Sequence, residues 1–124
     1  MLEYLEIEEF SFVSNDKIKI WVKDGKVHYS LDFMKDCKDV KDEISACTPE
    51  SLEKMLAALQ ITTWKKNYEP DMMYLDGTSW TVKYKECGEK VVKYSGENAW
   101  PRNWKAFLSI IKTVTGDLGG LGEA

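Results

Sequence analysis

Residues Asp76 to Trp104 read DGTSWTVKYKECGEKVVKYSGENAWPRNW, which is in order a turn, two strands, a glycine-rich corner and the entry to a helix. From Ser79 to Lys85, Trp80, Val82 and Tyr84 alternate with Thr81, Lys83 and Lys85, the period of a strand with one buried face. Cys87-Gly88-Glu89 interrupts the alternation with a glycine able to take positive φ, and Lys90 to Ser95 resumes it with Val92 and Tyr94, as a hairpin requires. Asp76-Gly77 is a second turn, joining Met72-Met73-Tyr74-Leu75 to the Trp80 strand. Together these segments predict a three-stranded antiparallel meander.

The corner follows at Gly96 to Pro101. Gly96 and Asn98 tolerate a left-handed backbone, and Pro101 suits a first helical turn because its missing N–H has no intrahelical partner there. Trp104, Phe107, Leu108, Ile111 and Val114 then recur at helical spacing until Gly116, which predicts a helix over Pro101–Thr115 with one apolar stripe on the sheet.

These residues form a pattern, D-G-x-x-W followed by two strands and G-x-N-x-x-P-x-x-W, carried here by Asp76, Gly77, Trp80, Gly96, Asn98, Pro101 and Trp104, with weaker support from Trp64. It resembles the pattern of a functionally uncharacterised family of small bacterial proteins, some free-standing and some attached to lipoproteins. Glu97 stands where those relatives often carry serine, and Trp100 where they carry tyrosine. The resemblance covers less than a quarter of the chain; it implies an α+β fold and carries over no site.

The amino-terminal half is read from its alternation. Leu2, Tyr4, Leu5, Ile7, Phe10 and Phe12 give a broken strand pattern, consistent with a bulge near Glu8-Glu9 that resets parity. Ser14-Asn15-Asp16 is turn chemistry, Lys17 to Lys23 places Ile18, Ile20 and Val22 on one face, and Asp24-Gly25 leads into Lys26 to Phe33, with Val27, Tyr29, Leu31 and Phe33 inward. Lys35 to Glu43, KDCKDVKDE, has balanced charge and almost nothing to bury, and reads as a solvated connection. Thr48-Pro49-Glu50 starts a helix with a hydroxyl cap, a proline and an early acid, and Leu52, Met55, Leu56 and Leu59 supply its apolar stripe as far as Gln60. The predicted architecture is one α+β domain over residues 1–116: about six strands in two antiparallel meanders, with helices Pro49–Gln60 and Pro101–Thr115 on one face. The glycine-rich end, DLGGLGEA, is expected to be a flexible tail over 117–124.

Composition narrows the function. A chain of 124 residues with 44% apolar content forms one ordinary domain. No run approaches the roughly 20 apolar residues of a membrane span, and the acidic start MLEYLEIEEF lacks the basic end of a secretory signal, so a cytoplasmic protein with no membrane partner is expected. Net charge of −4 gives no concentrated basic surface, which argues against nucleic acid. Lys17, Lys19 and Lys23 do share a strand face with Trp21, and Lys83, Lys85, Lys90 and Lys93 extend it; a solvated sheet face explains them.

Catalytic and metal signatures are weak throughout. Cys37, Cys47 and Cys87 are widely spaced and accompany a single histidine, so no zinc set assembles, and the lysines of KDCKDVKDE oppose calcium. His28 sits mid-strand with no evident partner, and Cys87 lies in a turn between Lys85 and Lys90. Asp76 and Glu97 are loop carboxylates near tryptophans, but aspartate before glycine commonly serves its own turn. No glycine-rich phosphate loop is present. No catalytic residue, cofactor or metal is therefore expected.

The tryptophans are the unusual feature. Trp64, Trp80 and Trp104 are placed to fill a core, whereas Trp21 on the lysine face and Trp100 in GENAWP are candidates for contact; Trp100 either projects as an anchor or folds back over the helix start. The leading expectation is a non-enzymatic protein-interaction module, a regulator or inhibitor of another protein among its forms, with Trp21, Glu97, Asn98, Trp100 and Arg102 as candidate partner-binding residues. A second is a small-ligand binder with a cleft lined by Trp64, Tyr68, Trp100 and Trp104, and a third is an enzyme with an unfamiliar site.

Overall fold

The computed structural model describes residues 1–34, 37–70 and 77–121. Its strands are β1 (Leu2–Ser11), β2 (Asn15–Lys23), β3 (Lys26–Phe33), β4 (Lys38–Ile44), β5 (Asn67–Tyr68), β6 (Thr78–Glu86) and β7 (Val92–Glu97); its helices are α1 (Pro49–Leu59) and α2 (Trp104–Thr115). The strands form one mixed, mostly antiparallel sheet in the order β4-β3-β2-β1-β6-β7-β5. The two meanders are thus one sheet, joined where β1 pairs with β6.

Alternation accounts for this join. On the helix-covered face, Leu31, Ile18, Ile7, Val82 and Tyr94 make one continuous row across five strands, and Tyr29, Ile20, Leu5, Tyr84 and Val92 make the next. Ile7, Ile18 and Val82 are fully enclosed there, and Leu52 and Leu56 of α1 and Phe107 and Ile111 of α2 close over them. Burying side chains of this size contributes about 1.5–3 kcal/mol each, enough to fix the register against a one-residue slip that would expose the whole row.

Three expectations need correction. The sheet has seven strands, not about six, because KDCKDVKDE contributes β4 (Lys38–Ile44) and Asn67–Tyr68 contributes the short parallel β5. The lysine and aspartate alternation that resembled a loop is an edge strand: exposed charge on both faces costs little at an edge and discourages further strand pairing. The proposed Met72–Leu75 strand lies outside the described residues. The bulge expected near Glu8-Glu9 is absent, and the β1–β6 register shifts instead between Leu2 and Tyr4. From Tyr4 onward parity runs unbroken, which puts Glu9 on the core face at 8% exposure and leaves Phe10 and Phe12 outside.

Helix α2 begins at Trp104, three residues later than expected, because Pro101–Asn103 forms a separate turn closed by the Trp104 N–H on the Pro101 carbonyl at 3.1 Å. Helix α1 begins as predicted, with Thr48 accepting from the Ser51 N–H at 3.1 Å, and ends where Gln60 turns left-handed.

The chain end is also docked over residues 117–121, where a flexible tail was expected. Asp16, 3% exposed, accepts the Met34 N–H on one oxygen at 3.1 Å and the Gly120 N–H on the other at 2.8 Å. Gly119 lies so close to Phe33 that a Cβ there would approach the ring to 2.7 Å, and Leu121 is 3% exposed. Lys38 holds Asp117 at 2.7 Å, which together with the Gly119 N–H keeps that carboxyl below its ordinary range.

At the opposite end of the sheet, burial and the neighbouring Glu86 push the Tyr84 hydroxyl well above the ordinary tyrosine range, and burial raises that of Tyr94. A raised folded-state pKa means that stability is intact below the unfolded value of about 10 and is lost as pH rises beyond it. Tyrosinate absorbance followed during an alkaline titration is therefore expected to show these two hydroxyls ionising only as the protein unfolds. Ionisation of all six tyrosines in a single phase near pH 10, with native circular dichroism retained, contradicts this.

Candidate functional site

The residues of the D-G-x-x-W and G-x-N-x-x-P-x-x-W pattern that the structure describes come together as a clasp between β6, β7 and α2. Asn98, left-handed at φ 52°, donates its N–H to the Thr78 carbonyl at 2.9 Å and accepts the Thr78 N–H on its side chain at 2.9 Å. Trp80, fully enclosed, donates its indole N–H to the Ala99 carbonyl at 2.8 Å. Gly96 permits that approach, since a Cβ would sit 2.4 Å from Trp80 Nε1 and 2.6 Å from the Ala99 oxygen. Trp104 packs on Trp80 with ring centroids 4.6 Å apart, and Trp64 meets both rings edgewise or tilted. Asp76 lies outside the described residues.

Asn103 was not singled out from the sequence, yet it ties this clasp to α1. Its side chain accepts the Trp64 indole N–H and donates to the Leu59 carbonyl, both at 2.8 Å. An asparagine before a helix ordinarily caps it; here both ends of the amide are used elsewhere, so only the spatial neighbours reveal its role.

Beside the clasp, where the start of α2 overhangs the ends of β1 and β6, a cavity of about 460 Å³ opens. Trp100, Pro101, Trp104 and Leu108 line it, with Thr78 and Glu9 from the sheet and Arg102, Lys105 and Ala106 along its exposed side. Trp100 is half-buried and packs against the core, neither a free anchor nor a full plug. Its indole nitrogen and that of Trp104 are closed off from solvent, with no hydrogen-bond partner among the described residues.

The five candidate contact residues do not converge. Trp100 and Arg102 share the cavity, Asn98 is spent on the clasp, and exposed Glu97 borders a separate cleft of about 210 Å³ with Asn67 and Ser95. Trp21 is on the opposite face of the sheet, in a row with His28 and Tyr4. Of the cleft expected between helix and sheet, Trp100 and Trp104 do line the cavity, while Trp64 and Tyr68 are packed into the aromatic core around Trp80.

On that opposite face the lysines alternate with carboxylates. Glu6 is paired between Lys19 and Lys83, and Glu8 between Lys17 and Thr81, so the acidic β1 runs through the middle of the basic residues. Lys17 reaches Glu6 at 3.1 Å and Lys85 reaches Glu3 at 2.6 Å, giving a face of interleaved signs. His28 has a partner after all: its Nδ1 lies 2.8 Å from Asp42 on β4, and its ring stacks on Trp21 with centroids 5.7 Å apart. Because β4 was read as a connection, this pair was invisible in the sequence. No hydroxyl or thiol among the described residues is hydrogen-bonded to the imidazole.

A further cleft of about 530 Å³ lies between α1 and the end of β6, and its carboxylates are already engaged: Glu53 accepts the Leu2 N–H at 2.7 Å and Glu86 accepts the Tyr84 hydroxyl. Among the described residues no group of three or more histidine, cysteine or carboxylate side chains is placed to hold a metal ion, and no helix is long and apolar enough to cross a membrane. Comparison of the chain with protein-family models, curated proteins and solved structures finds no match.

Proposed function

We propose that the protein is a non-enzymatic binding domain that takes a small organic molecule into the cavity beside the clasp. One observation carries this reading: a largely apolar cavity of about 460 Å³, bounded by two indoles and a rigid proline corner, with a few polar groups at its edges. Such dimensions and linings are those of small-molecule sites. The clasp explains why the site sits there, since it makes the backbone around Trp100 stiff, and a preformed site spends little binding energy on ordering itself.

The test is a small-molecule thermal screen followed by a blocking variant. A ligand at about a hundredfold excess over its Kd adds about 2.7 kcal/mol to the stability of the folded state. Ala106→Trp, at an exposed helix position on the cavity wall, is expected to abolish that shift while leaving the unliganded melting temperature within about 3 °C. A ligand that stabilises the wild type and the variant equally binds elsewhere and contradicts the proposal.

The protein-interaction reading is supported by a different observation. The turn between β1 and β2 is pinned by a Ser11–Ser14 hydroxyl contact at 2.9 Å and presents Phe12 at 92% and Val13 at 74% exposure. Turn tips usually carry glycine, asparagine or aspartate, so two apolar residues there are unexplained by local folding. Under this second reading the tip, more than Trp100, is the anchor. A Phe12→Ser, Val13→Ser double variant then loses a captured partner with unchanged thermal stability.

A further inference from the structure

Resting on the small-ligand reading, and going a step beyond it, we infer that the cavity beside the clasp takes a soluble amphiphilic anion: a hydrocarbon body seated inside, with one carboxylate or similar acidic head at the mouth. The interior decides the body. Trp100, Pro101, Trp104 and Leu108 line it, and the nitrogens of both indoles have no accessible surface, so neither ring offers a donor. Of the polar side chains in the lining, the Asn103 amide is committed to Trp64 and Leu59 and Glu9 is already engaged within the protein, which leaves the Thr78 hydroxyl. A ligand polar along its length would leave groups unpaired here. A hydrocarbon body asks for no partner and gains by leaving water.

The mouth decides the head. Arg102 and Lys105 line its exposed side, and among the described residues neither is paired with a carboxylate. Lys17, Lys38 and Lys85, by contrast, each meet one, at Glu6, Asp117 and Glu3. In a protein of net charge −4, two unmatched cations beside one apolar opening are a local reversal of sign. The start of α2 adds to it, since the Asn103 side chain leaves that positive helix end uncapped.

The ring faces alone would also suit an organic cation. A cation seated there faces two like charges and the start of a helix, whereas an acidic head is matched by all three.

Octanoate is the probe, of a size suited to a cavity of about 460 Å³. It is compared with hexanoate, which shortens the body, and with 1-octanol and octylammonium, which keep the body and change the head. Calorimetric titration of the intact protein at low salt is expected to show octanoate binding about tenfold more tightly than hexanoate, because each buried methylene adds to the transfer from water. Octanoate is expected to bind about fivefold more tightly than 1-octanol, with octylammonium weaker than either. Arg102→Ala is expected to weaken octanoate about threefold and leave 1-octanol unchanged, and the Arg102→Ala, Lys105→Ala double variant to remove most of the preference. Both positions are exposed, so these variants keep the fold. Added salt narrows the same preference.

Absence of octanoate binding, equal or tighter binding of 1-octanol or octylammonium, or an affinity indifferent to chain length overturns the amphiphilic-anion assignment. Octanoate binding that survives Ala106→Trp lies elsewhere and overturns it too. Capture of the protein by phosphatidylglycerol vesicles, abolished by Ala106→Trp, assigns the cavity to a membrane lipid in place of a soluble acid. The small-ligand reading is separable from the assignment. If a molecule of another class binds and Ala106→Trp removes it, the cavity remains a ligand site with a different occupant. If neither these probes nor any member of the thermal screen binds, the ligand reading falls with the assignment.

Discussion

Gly96→Ala is expected to destabilise the protein by about 3 kcal/mol or more, although it adds a single methyl group. The new Cβ would lie 2.4 Å from Trp80 Nε1 and 2.6 Å from the Ala99 carbonyl oxygen, and neither has room to retreat. Trp80 is fully enclosed, with Trp64, Tyr68 and Trp104 around it, and the Ala99 oxygen is backbone held by the same indole. Relief requires breaking that hydrogen bond or displacing β7. Chemical denaturation measures the loss directly. Gly88→Ala is the control: its Cβ meets nothing within 4 Å, so it costs only the left-handed backbone at φ 81°, about 1–2 kcal/mol. Comparable losses for the two variants contradict the clasp.

Trp80→Ala is expected to cost about 3–5 kcal/mol, a large part of the stability of a domain of ordinary size. Two effects combine: a cavity at the centre of the aromatic cluster, and an Ala99 carbonyl left without its donor. Trp80→Phe separates them, since it keeps most of the volume and removes only the donor, and is expected to cost about 1–3 kcal/mol. The outcome also bears on function. The clasp holds Trp100 and Pro101 against the cavity, so Trp80→Phe is expected to weaken any cavity ligand without touching it. Full retention of ligand affinity in that variant separates the clasp from the site.

In this arrangement the described residues of the D-G-x-x-W and G-x-N-x-x-P-x-x-W pattern serve one another first. Gly77, Trp80, Gly96, Asn98 and Trp104 are occupied with one another: a Cβ on Gly77 would collide with the Asn98 side chain at 2.1 Å, and Asn98 in turn satisfies both backbone groups of Thr78. Residues spent on internal contacts have little left to offer a ligand. Of the pattern only Pro101 and one face of Trp104 reach the cavity, where Trp100, Arg102 and Lys105 join them.

Much of the architecture was legible from the chain itself. Alternation at Ile18-Ile20, at Val27-Leu31 and at Trp80-Val82-Tyr84, the Thr48-Pro49 start of α1 and the Gly116 stop of α2 are local signals, written within a few residues, and the α+β sheet with its two helices follows from them. What only the tertiary structure decided depends on neighbours distant in sequence. β4 is a strand because β3 offers it an edge, Glu9 is buried because β1 is central between β2 and β6, and residues 117–121 are docked because Asp16 waits 104 positions earlier for the Gly120 amide. The cavity belongs to the same class, since Glu9, Thr78 and the start of α2 meet only after the sheet has closed around β1. Periodicity reports which side of an element seeks burial; it carries no information about which distant segment will provide it.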